Sequence, residues 1–146
     1  MYEAVNAIWA DTDILVKAAA VADYRPKQAA DRKIKKSGDS MTLELVKNID
    51  ILETLGRNKK AQFLIGFAAE TDQLEQYALD KLRRKNCDLL IANDVTAEGA
   101  GFGSDTNIVH VYDANGLVQS LPRLSKEEIG LQIMELAAER LTGESK

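Results

Sequence analysis

Apolar and polar positions along this chain change period in a regular order, with strand-like runs alternating with helix-like ones. Tyr2 to Trp9 places Val5, Ile8 and Trp9 along one side and predicts a short helix, whereas Ile14 to Ala20 is apolar except at Lys17 and predicts a buried strand. Asp23 to Ser40 holds Pro26, Gly38 and a run of basic residues, which predicts a mobile loop. Met41 to Val46 alternates as an extended segment and leads through Lys47 to a helix capped near Asn48 or Asp50 that carries Ile51, Leu52 and Leu55. Phe63 to Phe67 and Leu89 to Ala92 are short apolar runs separated by a helical stretch from about Asp72 to Lys85, the pattern of a parallel βαβ unit covered on both faces. After a glycine-containing loop from Thr96 to Asn107, Ile108 to Tyr112 and Leu117 to Leu121 flank Asp113-Ala114-Asn115-Gly116, a hairpin signal. A last helix opens at Ser125-x-x-Glu128, a capping-box spacing, and turns Ile129, Ile133, Leu136 and Ala137 inward. The expectation is an α/β fold: Rossmann-like, a mostly parallel doubly wound sheet with a C-terminal β-hairpin and helix.

Composition narrows the class. At 146 residues, 45% hydrophobic and 29% charged, the chain has enough apolar residues for one core and is short for two, so a single domain over 1–146 is expected. No apolar run approaches the roughly 20 residues that span a bilayer, and no basic segment followed by an apolar one opens the chain, which predicts a cytoplasmic protein with no membrane partner. A single cysteine, Cys87, excludes an internal disulfide and a thiolate-rich metal site. Cys87 opens an apolar run and reads as a small buried residue before it reads as a nucleophile; His110, in an alternating segment, reads as a strand position before a catalytic base.

Charge is segregated. Net charge is −4, yet Arg32 to Lys36 and Lys81 to Lys85 concentrate eight of the 19 lysines and arginines in windows without an acid. The acidic remainder repels nucleic acid, while the local windows suit a small polyphosphate or are simply solvated faces. In open α/β sheets the ligand crevice lies beyond the carboxyl ends of the strands, so Ala18 to Asp23, Gly66 to Thr71, Ala92 to Val95 and Gly99 to Ser104 are expected along one rim. Small residues from Ala18 to Ala22 leave room for a ligand to approach the backbone, and Asp23 is placed for a divalent cation, a ribose hydroxyl or a turn cap. Phe67 offers a ring to a nucleobase or closes the core. Lys81 and Lys85, four apart, share a helix face and repel unless an anion lies between them. Lys33, in the loop, is the candidate for stabilising developing negative charge. No GxGxxG, GxxxxGK[ST] or Ser/His/Asp grouping occurs, which weakens dehydrogenase, P-loop kinase and hydrolase readings.

Ala18-Ala-Ala-Val-Ala-Asp23-Tyr-Arg-Pro26, Lys33-Ile-Lys-Lys36, Leu45-Val-Lys-Asn48, Gly66-Phe-Ala-Ala-Glu-Thr71, Lys81-x-x-x-Lys85-Asn86, Ala92-Asn-Asp-Val95 and Gly101-Phe-Gly-Ser-Asp-x-Asn107 together resemble the C-terminal part of the phosphopantothenate–cysteine ligase domain. In most bacteria that domain is the second part of a bifunctional coenzyme A biosynthesis protein. The resemblance implies CTP-dependent activation of 4′-phosphopantothenate as an acyl-cytidylate, followed by displacement of CMP by the amine of L-cysteine. It implies a CTP site formed by Lys17, Ala18, Ala19, Asp23, Lys33, Ile49, Asp50, Ile51, Leu52, Phe67, Lys81 and Lys85, with Lys33 catalytic. Mg²⁺, with Asp23 as a possible ligand, would neutralise the triphosphate; FMN would belong to a decarboxylase domain outside this segment.

The resemblance also implies a homodimer, for which Met41 to Val46 and Ile108 to Leu121 are the candidate contact strands. The family's N-terminal strand–helix region, with its glycine-rich segment, is not matched here, so the chain is expected to bind CTP better than it makes product. Ile49 stands where the family usually has Pro, and Lys17 where an apolar residue is expected and must snorkel or join an anion site. A reading from another class is a non-catalytic nucleotide-binding or dimerisation domain.

Overall fold

Uninterrupted apolar runs must be covered on both faces, and that requirement sets the architecture. The structure, a computed structural model, describes residues 1–35, 38–70, 74–94 and 105–143. Helix α1 (Tyr2–Ile8) and a single 3₁₀ turn (Trp9–Asp11) lead into β1 (Ile14–Lys17). Next come β2 (Tyr24–Pro26), β3 (Leu45–Lys47), α2 (Ile51–Arg57), β4 (Phe63–Glu70), α3 (Leu74–Lys85) and β5 (Leu89–Asp94). The chain closes with β6 (Thr106–Asp113), β7 (Gly116–Ser125) and α4 (Lys126–Thr142).

The main sheet has five strands in the order β1-β4-β5-β6-β7; β1, β4 and β5 are parallel, and β6 and β7 add on antiparallel. Alternation along β4 sends Leu64 and Ala68 into a core with Leu52 and Leu55 of α2 and Ala78 and Leu82 of α3, closed by Trp9. Ile65 goes to the opposite core with Leu89, Ile91, Val109 and Val111 beneath Ile129, Ile133 and Ala137 of α4. Helices therefore cover both faces of a parallel core, and the expected Rossmann-like α/β fold with a C-terminal hairpin and helix is the one found. Ser125 caps α4 through the reciprocal bonds expected of its capping box. Arg140 in the last turn of α4 pairs with Asp113 at the hairpin, 2.7 Å away. Among the described residues, no helix is long and apolar enough to cross a membrane.

Two expectations need correction. The first strand lies at the edge of the sheet and is half-buried rather than buried, with Val16 exposed, and it ends at Lys17 rather than Ala20, beyond which the small residues are exposed. The segment from Asp23 to Ser40 is not all loop: Tyr24–Pro26 pairs antiparallel with Leu45–Lys47 in a separate ribbon. Thr71, Lys36 and the glycine loop from 95 to 104 lie outside the described residues.

Candidate functional site

Where β1 stops, the chain leaves the sheet as an exposed lip from Ala18 to Asp23, and a cavity of about 800 Å³ opens between it and the strand ends. The entry of α2 forms a second wall, with Asn48, Ile49, Asp50, Ile51 and Leu52. Phe67 and Ala69 from β4 and Lys81 and Lys85 from α3 also face it. Its remaining wall comes from Asn93, Asn107, Val109 and the first two turns of α4, where Gly130 has no atom within 4 Å of the place a Cβ would occupy. Gly66 brings α2 onto β4: a Cβ there would lie 2.7 Å from Leu52 Cδ2.

Charge in the cavity is organised around one buried ammonium. Lys85 is only 5% exposed, and its Nζ donates to Glu53 Oε2 at 2.8 Å and also to Asp50 Oδ2. Asp50 is the N-cap of α2 and accepts the Glu53 backbone N–H at 3.0 Å through its other oxygen. Desolvation opposes its ionisation, but the Lys85 hydrogen bond, the Glu53 N–H and the charges of Lys85 and Lys17 outweigh it, and its carboxyl lies below the ordinary carboxylate value. The Lys85 hydrogen bond, followed by its charge, lowers Glu53 in the same way. Lys17 folds back on the lip and donates to Ala19 O at 2.9 Å.

A family model described as DNA/pantothenate metabolism flavoprotein C-terminal domain matches residues 1–141. The chain belongs to that family. This family member is similar to the coenzyme A biosynthesis bifunctional protein CoaBC of Bacillus subtilis (strain 168), at 51% identity over 146 residues, covering 99% of this chain and 36% of that protein. It is similar also to the protein of that name from Escherichia coli (strain K12), at 42% identity over 139 residues, covering 92% of this chain and 34% of the other. The chain thus spans about a third of the length of these relatives. Among solved structures, the C-terminal domain of CoaBC superposes with a TM-score of 0.77 at 43% identity, covering 98% of this chain and 64% of that one. The DNA/pantothenate metabolism flavoprotein from Streptococcus pneumoniae, at 23% identity and a TM-score of 0.73, covers 94% of this chain and 68% of its own and shares the fold.

Within this DNA/pantothenate metabolism flavoprotein domain, the cavity gathers Lys17, Ala18, Ala19, Asp23, Ile49, Asp50, Ile51, Leu52, Phe67, Lys81 and Lys85. Among the described residues that line it, Lys33 is not one; Lys33 is exposed in the stretch between β2 and β3. The charge of Lys85, four residues from Lys81 on the same helix, is offset by the carboxylates of Asp50 and Glu53. Phe67 packs against the core beneath α4 and also lines the cavity. Cys87 is buried, and that burial pushes its thiol up to about 12, so it has no thiolate at neutral pH. His110 shares a 2.9 Å hydrogen bond with Ser120 across the hairpin. Lining residues not singled out beforehand include Asn48, Asn93, Asn107, Lys126 and Gly130. Asn48, Asn93 and Asn107 do stand in the motifs quoted above; Gly130 gave a signal only as a glycine inside a helical pattern.

Proposed function

We propose that this domain binds CTP in the cavity and serves the ligation of 4′-phosphopantothenate with L-cysteine, a step of coenzyme A biosynthesis. The observation that carries the reading is the cavity itself. Its size is that of a small-molecule site, it lies beyond the carboxyl ends of parallel strands, and small residues, an aromatic ring and lysines meet around it. The names of the relatives support the pathway.

In this account the lip of Ala18 and Ala19 lets the nucleotide approach the backbone, and Asp23 takes a ribose hydroxyl or a cation. Phe67 stands beside the base or ribose, the Ile49–Leu52 wall closes the other side, and Lys81 brings positive charge to the triphosphate, with Lys85, whose charge Asp50 and Glu53 already offset, forming the wall behind it. The carboxylate of 4′-phosphopantothenate attacks the α-phosphorus, forming an acyl-cytidylate and releasing pyrophosphate. The cysteine amine then attacks the acyl carbon, CMP leaves, and the amine proton is lost. The first step brings two anions together, and this is where Lys33 acts, by electrostatic stabilisation. Mg²⁺ is usually held by one or two carboxylates plus substrate phosphates, and the exposed Asp23 on the lip fits that donor set. When bound, the ion would offset phosphate charge.

One observation favours a second reading, a nucleotide-binding domain without turnover: Lys33 is not among the described residues that line the cavity. Lys33→Gln in the full-length protein separates the two. The proposal expects pyrophosphate release in a single turnover to fall by about 100-fold with CTP affinity retained. Unchanged release would remove Lys33 from the step, and no release from the wild type would leave the passive reading.

A further inference from the structure

The lip that forms one side of the cavity cannot hold its own shape. Ala18 to Asp23 is exposed at every residue, follows the last paired residue of β1, and carries mostly small side chains. Two of the backbone carbonyls at its far end are instead taken up by one neighbour. Asn48 Nδ2 donates to Ala22 O at 2.7 Å, and the Asn48 main-chain N–H donates to Asp23 O at 2.7 Å. The other half of the same amide faces the ribbon: Asn48 Oδ1 accepts from Arg25 Nη1 at 2.8 Å. Two residues later the chain reaches Asp50, the cap of α2 and partner of Lys85.

From this we infer that Asn48 is the positioning residue of the cavity, fastening the lip to the base of the β2–β3 ribbon and to the entry of α2. Only a side chain with one donor and one acceptor on a short, planar amide meets both neighbours at once. Aspartate keeps the acceptor for Arg25 but turns an oxygen toward the Ala22 carbonyl. Glutamine places the amide one methylene too far. The inference rests on the reading of the cavity as a nucleotide site, because a lip set at a fixed distance matters for affinity only if a ligand lies beneath it.

Three variants and two readouts test it. Amide hydrogen exchange follows residue 48 and the ribbon residues 24, 25 and 27, with Val111 and Leu121 in the hairpin as controls; calorimetry follows CTP with Mg²⁺. Asn48→Ala should raise exchange at residue 48 and in the ribbon by about tenfold, leave the controls unchanged, and weaken CTP by about tenfold. Asn48→Asp should weaken CTP as much while leaving ribbon exchange near that of the wild type, since its bond to Arg25 survives. Arg25→Met should do the reverse, loosening the ribbon with a smaller loss of affinity. Exchange in Asn48→Ala equal to wild type, or raised alike in the controls, overturns the assignment. A wild-type chain that takes up no CTP overturns the nucleotide reading instead, and the exchange data still decide the role of Asn48.

Discussion

Lys85 enters the interior as a charged residue because two carboxylates meet it there, and neither is close in sequence: Asp50 is 35 residues away and Glu53 is 32. A helical repeat places Lys81 and Lys85 on one face but carries no information about partners on another helix, so the pairing was not legible beforehand. The same is true of Asn48, whose contacts with Ala22 and Arg25 reach back more than 20 residues. Residues whose role is local were legible: the Ser125 cap, the buried Cys87 and the small residues of the lip. The Lys85 cluster has a consequence for acid stability. Both carboxyls are lowered in the folded chain, so their contribution is complete above their ordinary values of 3.8 and 4.5 and is lost as pH falls through the lowered ones. Denaturation midpoints measured against pH should therefore fall below about pH 4.5 in the wild type. An Asp50→Asn, Glu53→Gln double variant should show a flatter profile over that window, with Glu128 contributing equally to both proteins. Parallel profiles would remove the cluster from the account.

At the level of elements, the contact between α2 and α3 is closer than side chains normally allow. A Cβ on Gly56 would lie 1.8 Å from the Lys85 carbonyl oxygen, and Asn86, which ends α3 in the left-handed region with φ 51°, donates its side-chain amide to Gly56 O at 2.8 Å. Gly56→Ala should cost about 3 kcal/mol in chemical denaturation, because backbone rather than a flexible side chain must move. A loss under 1 kcal/mol would contradict so tight a joint. Gly130 is the opposite case, a glycine in mid-helix with open space beside it on the cavity wall. Gly130→Ala should stabilise the chain by about 0.5–1 kcal/mol. Gly130→Leu should keep α4 folded and reduce CTP affinity, by filling space the ligand needs; unaltered affinity would put the ligand elsewhere. Periodicity identified α2, α3 and α4 because their apolar faces repeat locally. It missed β2, whose partner Lys47 for Tyr24 lies across the whole 27–44 stretch. Three residues without an apolar alternation leave no trace of such a pairing.

Across the whole molecule, the order of strands explains why a site forms where it does. Parallel β1, β4 and β5 deliver their carboxyl ends to one edge, and the cavity opens there. That much of the fold was readable from alternating strand and helix patterns, as was the gathering of the lip, Phe67 and the α3 lysines. The wall supplied by α4 was not, because nothing in a helix's own sequence says which end of a sheet it will reach. Lys33 stands outside the described cavity lining, exposed between β2 and β3. Binding of the nucleotide is the claim on which the rest depends. Calorimetric titration of this chain with CTP, ATP and UTP in the presence of Mg²⁺ tests it most directly: the account predicts saturable, one-site binding that favours CTP, and equal binding of all three or heat from none would contradict it.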